Sequence, residues 1–218
     1  MQLDPPVTQR LRPGPSALSR EEVLASQRGR LALAALQTVA AAGYQPTTIA
    51  DITKRAQVSK RTFYELFRSK EECFLAGLEG GVAVAQHHLD EALEPADRLD
   101  WRRLVRRSLT VYLELLAAEP DVARALHLEA VAAGGEIAHF RARMNGVFVD
   151  RMRGAHRVGV EQGELSGEPA EGMLAFLIGG IDDRIRQQLI ASGPEDLPAL
   201  GPDICAAAIA ILRMSGVD

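Results

Sequence analysis

Residues 48 to 72, TIADITKRAQVSKRTFYELFRSKEE, leave few options for the fold. Thr48 and Asp51 stand three apart around Ile49, Ile52 and Ala56, so the threonine caps a helix whose first turn holds a favourable aspartate. Gln57 and Val58 make a very short connection. Ser59 is the next N-cap, and it opens a helix of less than about two and a half turns in which Phe63 and Phe67, four apart, share one face. Ser69 and Glu72 cap a third helix in capping-box spacing, with Lys70 in its first turn.

Two short helices joined this tightly predict a helix-turn-helix. Phe63 and Phe67 must face a core, which leaves Lys60, Arg61, Thr62 and Tyr64 on or beside the opposite face. A hydrocarbon core would not accept two cations there, whereas a groove lined with phosphates would. Lys70 at a helix start also fits a phosphate partner, although the helix dipole alone prefers an anion there. Charge distribution points the same way. Residues 1 to 70 hold 11 Lys+Arg against 5 Asp+Glu, whereas the whole chain carries a formal net charge of −4. All three lysines, Lys54, Lys60 and Lys70, fall in this segment, so contact with a polyanion is expected of the basic head and not of the acidic body.

The stretch RLALAALQTVAAAGYQPTTIADITKRAQVSKRTFYELFRSKEECFLA, Arg30 to Ala76, resembles the N-terminal domain of the TetR family of bacterial transcriptional regulators. Gly43, Tyr44, Thr47, Thr48, Asp51, Ile52, Ala56, Val58, Ser59, Thr62, Phe63, Tyr64, Phe67, Ser69, Lys70 and Glu71 match the family pattern in order. Three positions depart from it. Gln57 stands where Gly or Asn suits a left-handed turn, Arg61 replaces a small residue, and Leu66 replaces a frequent His. Arg61 fits either a guanine edge or a backbone phosphate. Thr47, Thr48, Ser59, Tyr64 and Lys70 are carried over as phosphate-positioning residues, with Lys60, Arg61 and Thr62 as base-edge readers.

A chain of 218 residues, 47% hydrophobic, is long enough for one small and one medium helical domain. We expect a flexible tail over 1–18, rich in proline and carrying Arg10 and Arg12, a helix-turn-helix domain over 19–76, and a helical ligand-binding and dimerisation domain over 77–218. Ser19 and Glu22 cap the first helix, which runs through Leu31, Ala35 and Val39 to Gly43. Helices are expected over 70–94, 99–118, 120–133, 136–162, 169–192 and 198–214, divided by Gly and Pro, so the architecture is all-α. With no long apolar run and no N-terminal apolar core, neither membrane insertion nor secretion is expected, and the location is cytoplasmic. Cys73 and Cys205 lack metal-ligand spacing and read as buried thiols.

Along the 136–162 helix, Phe140, Met144, Phe148 and Met152 recur every four residues as one apolar stripe. Spacing alone leaves bundle core and ligand wall both open. The family resemblance implies a small-molecule pocket in the body, and this stripe with Tyr112, Leu116 and Leu128 is the richest apolar supply for it. The last two helices offer Phe176, Leu177, Gly180, Ile181 and Ile185, then Ile204, Ala207, Ala208 and Ile211. They serve either as domain core or as the face through which the family dimerises. His87, His88, His127, His139 and His156 lack ligand spacing beyond a weak His87/Glu91 pair, so no metal site is expected. Asp182 and Asp183 beside Arg184 and Arg186 read as an exposed charge cluster, and no catalytic or nucleotide fingerprint occurs, so neither catalysis nor a cofactor is expected.

The sequence thus reads as a homodimeric regulator, a repressor released by a small hydrophobic effector, binding double-stranded DNA at a palindromic operator. The alternative is an all-α small-molecule-binding or enzymatic protein without specific DNA binding.

Overall fold

In the computed structural model, residues 19–93 and 100–214 are described; the expected tail, 1–18, lies outside the described residues. The described elements are all helical. They are α1 (Arg20–Ala42), α2 (Ile49–Ala56), α3 (Lys60–Leu66), α4 (Lys70–Leu93), α5 (Trp101–Ala118) and α6 (Pro120–Arg124), then α7 (Ala130–Ala133), α8 (Gly135–Glu161), α9 (Glu171–Ala191) and α10 (Gly201–Arg213).

The caps read from the sequence are present. Ser19 and Glu22 form a capping box on α1, Thr48 and Asp51 form another on α2, and Ser59 Oγ accepts from Thr62 N on α3. Ser69 Oγ accepts from Glu72 N at 3.1 Å, but the Glu72 carboxylate accepts from Arg68 N and not from Ser69, so only half of the expected box forms there. Gln57 adopts φ 54, ψ 44, the left-handed turn that its position demands, and is the sole non-glycine with positive φ among the described residues.

One apolar cluster fills the head. Leu31, Ala35 and Val39 of α1, at helical spacing, meet Ile52, Phe63, Phe67 and Phe74. The cluster does not stop at the end of the head; it continues through Leu78 and Val82 of α4 to Ala125, Leu126, Ala130, Ile137 and Phe140. A second cluster fills the body, where Trp101, Val105, Leu109, Leu113 and Leu116 of α5 pack on Leu174, Ile185 and Leu189 of α9 and on Ala208 and Leu212 of α10. Between α4 and α1 the approach is tight, since a Cβ placed on Gly77 would lie 2.4 Å from Ala32 O.

The expected single helix over 120–133 is interrupted. Ala125–Glu129 form a π-helical turn between α6 and α7. Arg141 Nη1 donates to Leu126 O of this widened turn at 2.5 Å, and just before it Arg124 Nε, at the end of α6, donates to Ala40 O of α1 at 3.2 Å.

Candidate nucleic-acid interface and effector pocket

In the head, Phe63 is fully buried and Phe67 nearly so, while Lys60, Arg61 and Tyr64 are exposed, Tyr64 to 61%. The two faces of α3 therefore separate as the spacing required. Among the described residues Arg61 reaches only Glu65, at 3.2 Å on the open surface, a pairing that holds it weakly. Thr48 and Ser59 are exposed at the two helix starts, and Thr62 is half-buried.

Thr47 and Lys70 are placed otherwise than expected. Thr47 is only 3% exposed and its hydroxyl donates to Gly43 O at 2.6 Å. Lys70 Nζ lies 2.7 Å from Tyr44 O, 2.9 Å from Thr47 O and 3.4 Å from Gln45 O, and 4.3 Å from the centroid of the Tyr44 ring. Three carbonyls take the three protons of an ammonium, so none is left for a phosphate in this conformation. Both residues instead fix the loop that delivers α2. Arg28 performs the same service at the other end, donating from Nη1 to Leu66 O at 2.7 Å and stacking over Phe67.

In the body, a cavity of about 40 Å³ lies between α5, the π turn, α8 and α9. Tyr112, Met144, Phe148 and Met152 line it with Leu109, Leu126, Ile178, Ile181 and Ile185. Leu116, Leu128 and Phe140 do not line it. Leu116 is buried in the body core, Leu128 packs half-buried against that core, and Phe140 belongs to the head's cluster. A four-residue step turns about 40° past a full circle, so a stripe of four such residues winds around α8 and its first member faces a different neighbour.

One pole of the cavity is polar, through residues the sequence reading did not place there. Tyr112 Oη and His127 Nε2 are 3.0 Å apart, and His127 Nδ1 is 2.7 Å from Asp182 Oδ1. Arg141 Nη2 donates to Asp182 Oδ2 at 2.8 Å, and Asn145 stands beside them in the wall. Burial works to raise the Asp182 carboxyl, but the hydrogen bond and charge of His127 and those of Arg141 outweigh it and hold the group below its ordinary value. Burial first, and Asp182 second, push the Tyr112 phenol up, so it stays protonated. Asp182 is thus no part of an exposed cluster, which corrects the sequence expectation; only its neighbour Asp183 pairs outward, with Arg186. These contacts join residues 15, 41 and 55 positions apart, and no local pattern announces them.

The expected dimer residues divide between two faces. Leu177, Ile181, Ile185, Ile204 and Ala208 are buried within the chain, whereas Phe176, Gly180 and Ala207 are exposed and Ile211 is half-buried. Hydrophobicity alone selected the core side of α9 and α10. The outward side is built from small residues with Phe176, 76% exposed, and Ile190, 73% exposed.

The two thiols are buried. Desolvation pushes Cys73 up to about 12 and also raises Cys205. Among the described residues no group of three or more His, Cys, Asp or Glu is placed to hold a metal ion, and no helix is long and apolar enough to cross a membrane.

Residues 32–76 match the family model of bacterial regulatory proteins of the tetR family. Curated protein sequences offer no match. The fold is similar to that of the transcriptional regulator FadR from Bacillus subtilis, solved in complex with stearoyl-CoA, at 18% identity and TM-score 0.69 over 83% of this chain and 97% of that one. It is similar to the fatty acid degradation regulator FadR from Bacillus halodurans at 19% identity and TM-score 0.71, over 86% and 96%. Full-length native TylP, a tetR regulator from Streptomyces fradiae, matches at 25% identity and TM-score 0.58, over 88% and 82%. The segment that carries the exposed cationic face of α3 is the one the family model matches, so the head is a TetR-type N-terminal domain.

Proposed function

We propose that the protein is a homodimeric, effector-responsive repressor. Its head, 19–76, reads a palindromic operator, and its body, 77–218, holds the effector and the dimer contact, in the cytoplasm and without catalysis. The observation that carries this is α3, whose Lys60, Arg61 and Tyr64 are exposed on the side opposite Phe63 and Phe67. Lys60, Arg61 and Thr62 face base edges; Thr48, Ser59 and Tyr64 seat the phosphates. A single short reading helix offers little surface, and a second copy supplies the other half-site about one helical turn of DNA away.

The exposed faces of α9 and α10, with Phe176, Gly180, Ala207 and Ile211, support the dimer contact, since small residues allow two helix pairs to approach closely. The body cavity supports the effector site. At about 40 Å³ it holds a few water molecules, whereas ligand pockets run to about 300–1,000 Å³, so an effector must displace Met144, Phe148 and Met152. That displacement reaches the π turn, which contributes His127 to the cavity and Glu129 to the head. The stearoyl-CoA held by the Bacillus subtilis regulator is in keeping with a body that admits apolar ligands.

Selection of bound fragments from random duplex DNA tests the reading. A recovered two-fold symmetric sequence bound by two chains, with affinity falling steeply with salt, is the expected result. Recovery of no preferred sequence would reject it.

A further inference from the structure

The outward face of α3 holds an anion where a polyanion is expected to dock. At about 100° per residue, the line midway between Phe63 and Phe67 lies on the opposite side of the helix from Glu65, with Arg61 about 40° to one side of it. Glu65 and not a cation thus occupies the middle of the outward face, and its side chain is 46% exposed. Its contact is with Arg61, whose Nε donates to Glu65 Oε1 at 3.2 Å. An exposed pair of this spacing, with the cation on the N-terminal side, adds little to helix stability. Its consequence lies in what the two side chains present together.

With Nε engaged, the free end of the Arg61 guanidinium is the Nη1/Nη2 edge, two parallel N–H donors that suit the O6 and N7 of a guanine. Beside it, Glu65 Oε2 has no partner among the described residues, and a carboxylate oxygen accepts. The major-groove edge of a G·C pair carries the complementary row, the O6 and N7 acceptors of guanine next to the N4 amino donor of cytosine. A phosphate on the same guanidinium edge would instead set a second anion beside the Glu65 carboxylate, like charge against like.

Resting on the operator reading above, we propose that Arg61 and Glu65 read one G·C pair as a unit, Arg61 taking the guanine and Glu65 Oε2 accepting from the cytosine N4 amino group. Arg61 is thereby assigned to a base edge and not to the DNA backbone, and Glu65 joins it as a specificity-determining residue.

The test uses the full chain, with selection from random duplex DNA repeated for Arg61→Ala and Glu65→Ala. Both side chains are exposed, so the thermal melts should match that of the natural chain. The natural chain should recover a G·C pair in each half-site, and both variants should lose the preference at that same pair. On the recovered operator, that cytosine is then replaced by pyrimidin-2-one, which lacks the N4 amino group. The change should weaken binding by the natural chain about tenfold and by Glu65→Ala less than about twofold. Glu65→Ala should also hold random-sequence DNA at least as tightly as the natural chain, since one anion fewer faces the phosphates. A carboxylate that only steadied the helix would not give that split. Glu65→Ala keeping the full natural preference, or equal losses on pyrimidin-2-one in the two proteins, would overturn the proposal and leave the operator reading standing. Recovery of no preferred sequence by the natural chain would overturn both.

Discussion

The Glu129 carboxylate accepts the backbone N–H of Tyr44 at 2.8 Å, joining the π turn of the body to the loop before the helix-turn-helix. Two residues earlier His127 lines the cavity, so one short turn touches both sites. Coupling by such a contact is reciprocal and typically about 1–3 kcal/mol. Glu129→Ala should therefore shrink the difference between operator affinities measured with and without effector, while Glu129→Gln, which keeps an acceptor for Tyr44, should retain most of it. An Ala variant with a full effector response would show that the signal runs elsewhere.

On α3, Lys60→Ala and Tyr64→Ala should each weaken operator binding by about 1 to 3 kcal/mol and leave the thermal melt unchanged, because both side chains stand clear of the core. Phe63→Ala should do the opposite, lowering stability by about 3 to 5 kcal/mol through the loss of a fully buried ring. Denaturant titration beside a DNA-binding assay separates the two classes.

Assembly offers a paired test. Phe176→Arg should release monomers without harming the fold, since the ring is exposed in the single chain, whereas Ile181→Arg should unfold the body by burying an unpaired charge. Sizing chromatography and melting curves read the two results. A Phe176→Arg protein that remains dimeric would move the interface to another face.

Stability should respond to acid through Asp182. Its folded-state value is depressed, so the stabilisation it brings is present above the ordinary aspartate range and is lost as pH falls through the lowered folded value. Asp182→Asn should flatten the acid limb of a stability profile and leave the alkaline limb alone. Equal acid slopes in the two proteins would show that the carboxylate does not carry this dependence.

The head was legible in the sequence because its signals are local. Caps lie three residues from their partners and Phe63 and Phe67 one turn apart, and Gln57, standing where the family pattern has Gly or Asn, keeps the left-handed turn all the same. The body was legible only as a set of helices. Ile181 and Ile185 stay open between core and contact face in the sequence because apolar spacing does not say which of two apolar-tolerant sides turns inward; both are buried. The polar pole escaped altogether, because His127, Arg141 and Asp182 meet through tertiary packing and their chain neighbours look like ordinary helix surface. Lys70 misled for a related reason: a lysine at a helix start suggests an external anion, yet three carbonyls of the Tyr44 to Thr47 loop were nearer.

Gly77 limits how the head can move. With Ala32 O where a methyl group would have to sit, α4 has no clearance to slide along α1 or to press closer to it. Any reorientation of the two helices has to swing about that contact like a lever on a fulcrum, with the Lys70 end and the Leu89 end travelling in opposite directions. A small swing of the Leu89 end, which packs in the body core, is then returned as a swing of opposite sense at the start of α4, next to the reading helix, and the lengths of the two arms set the gain between them.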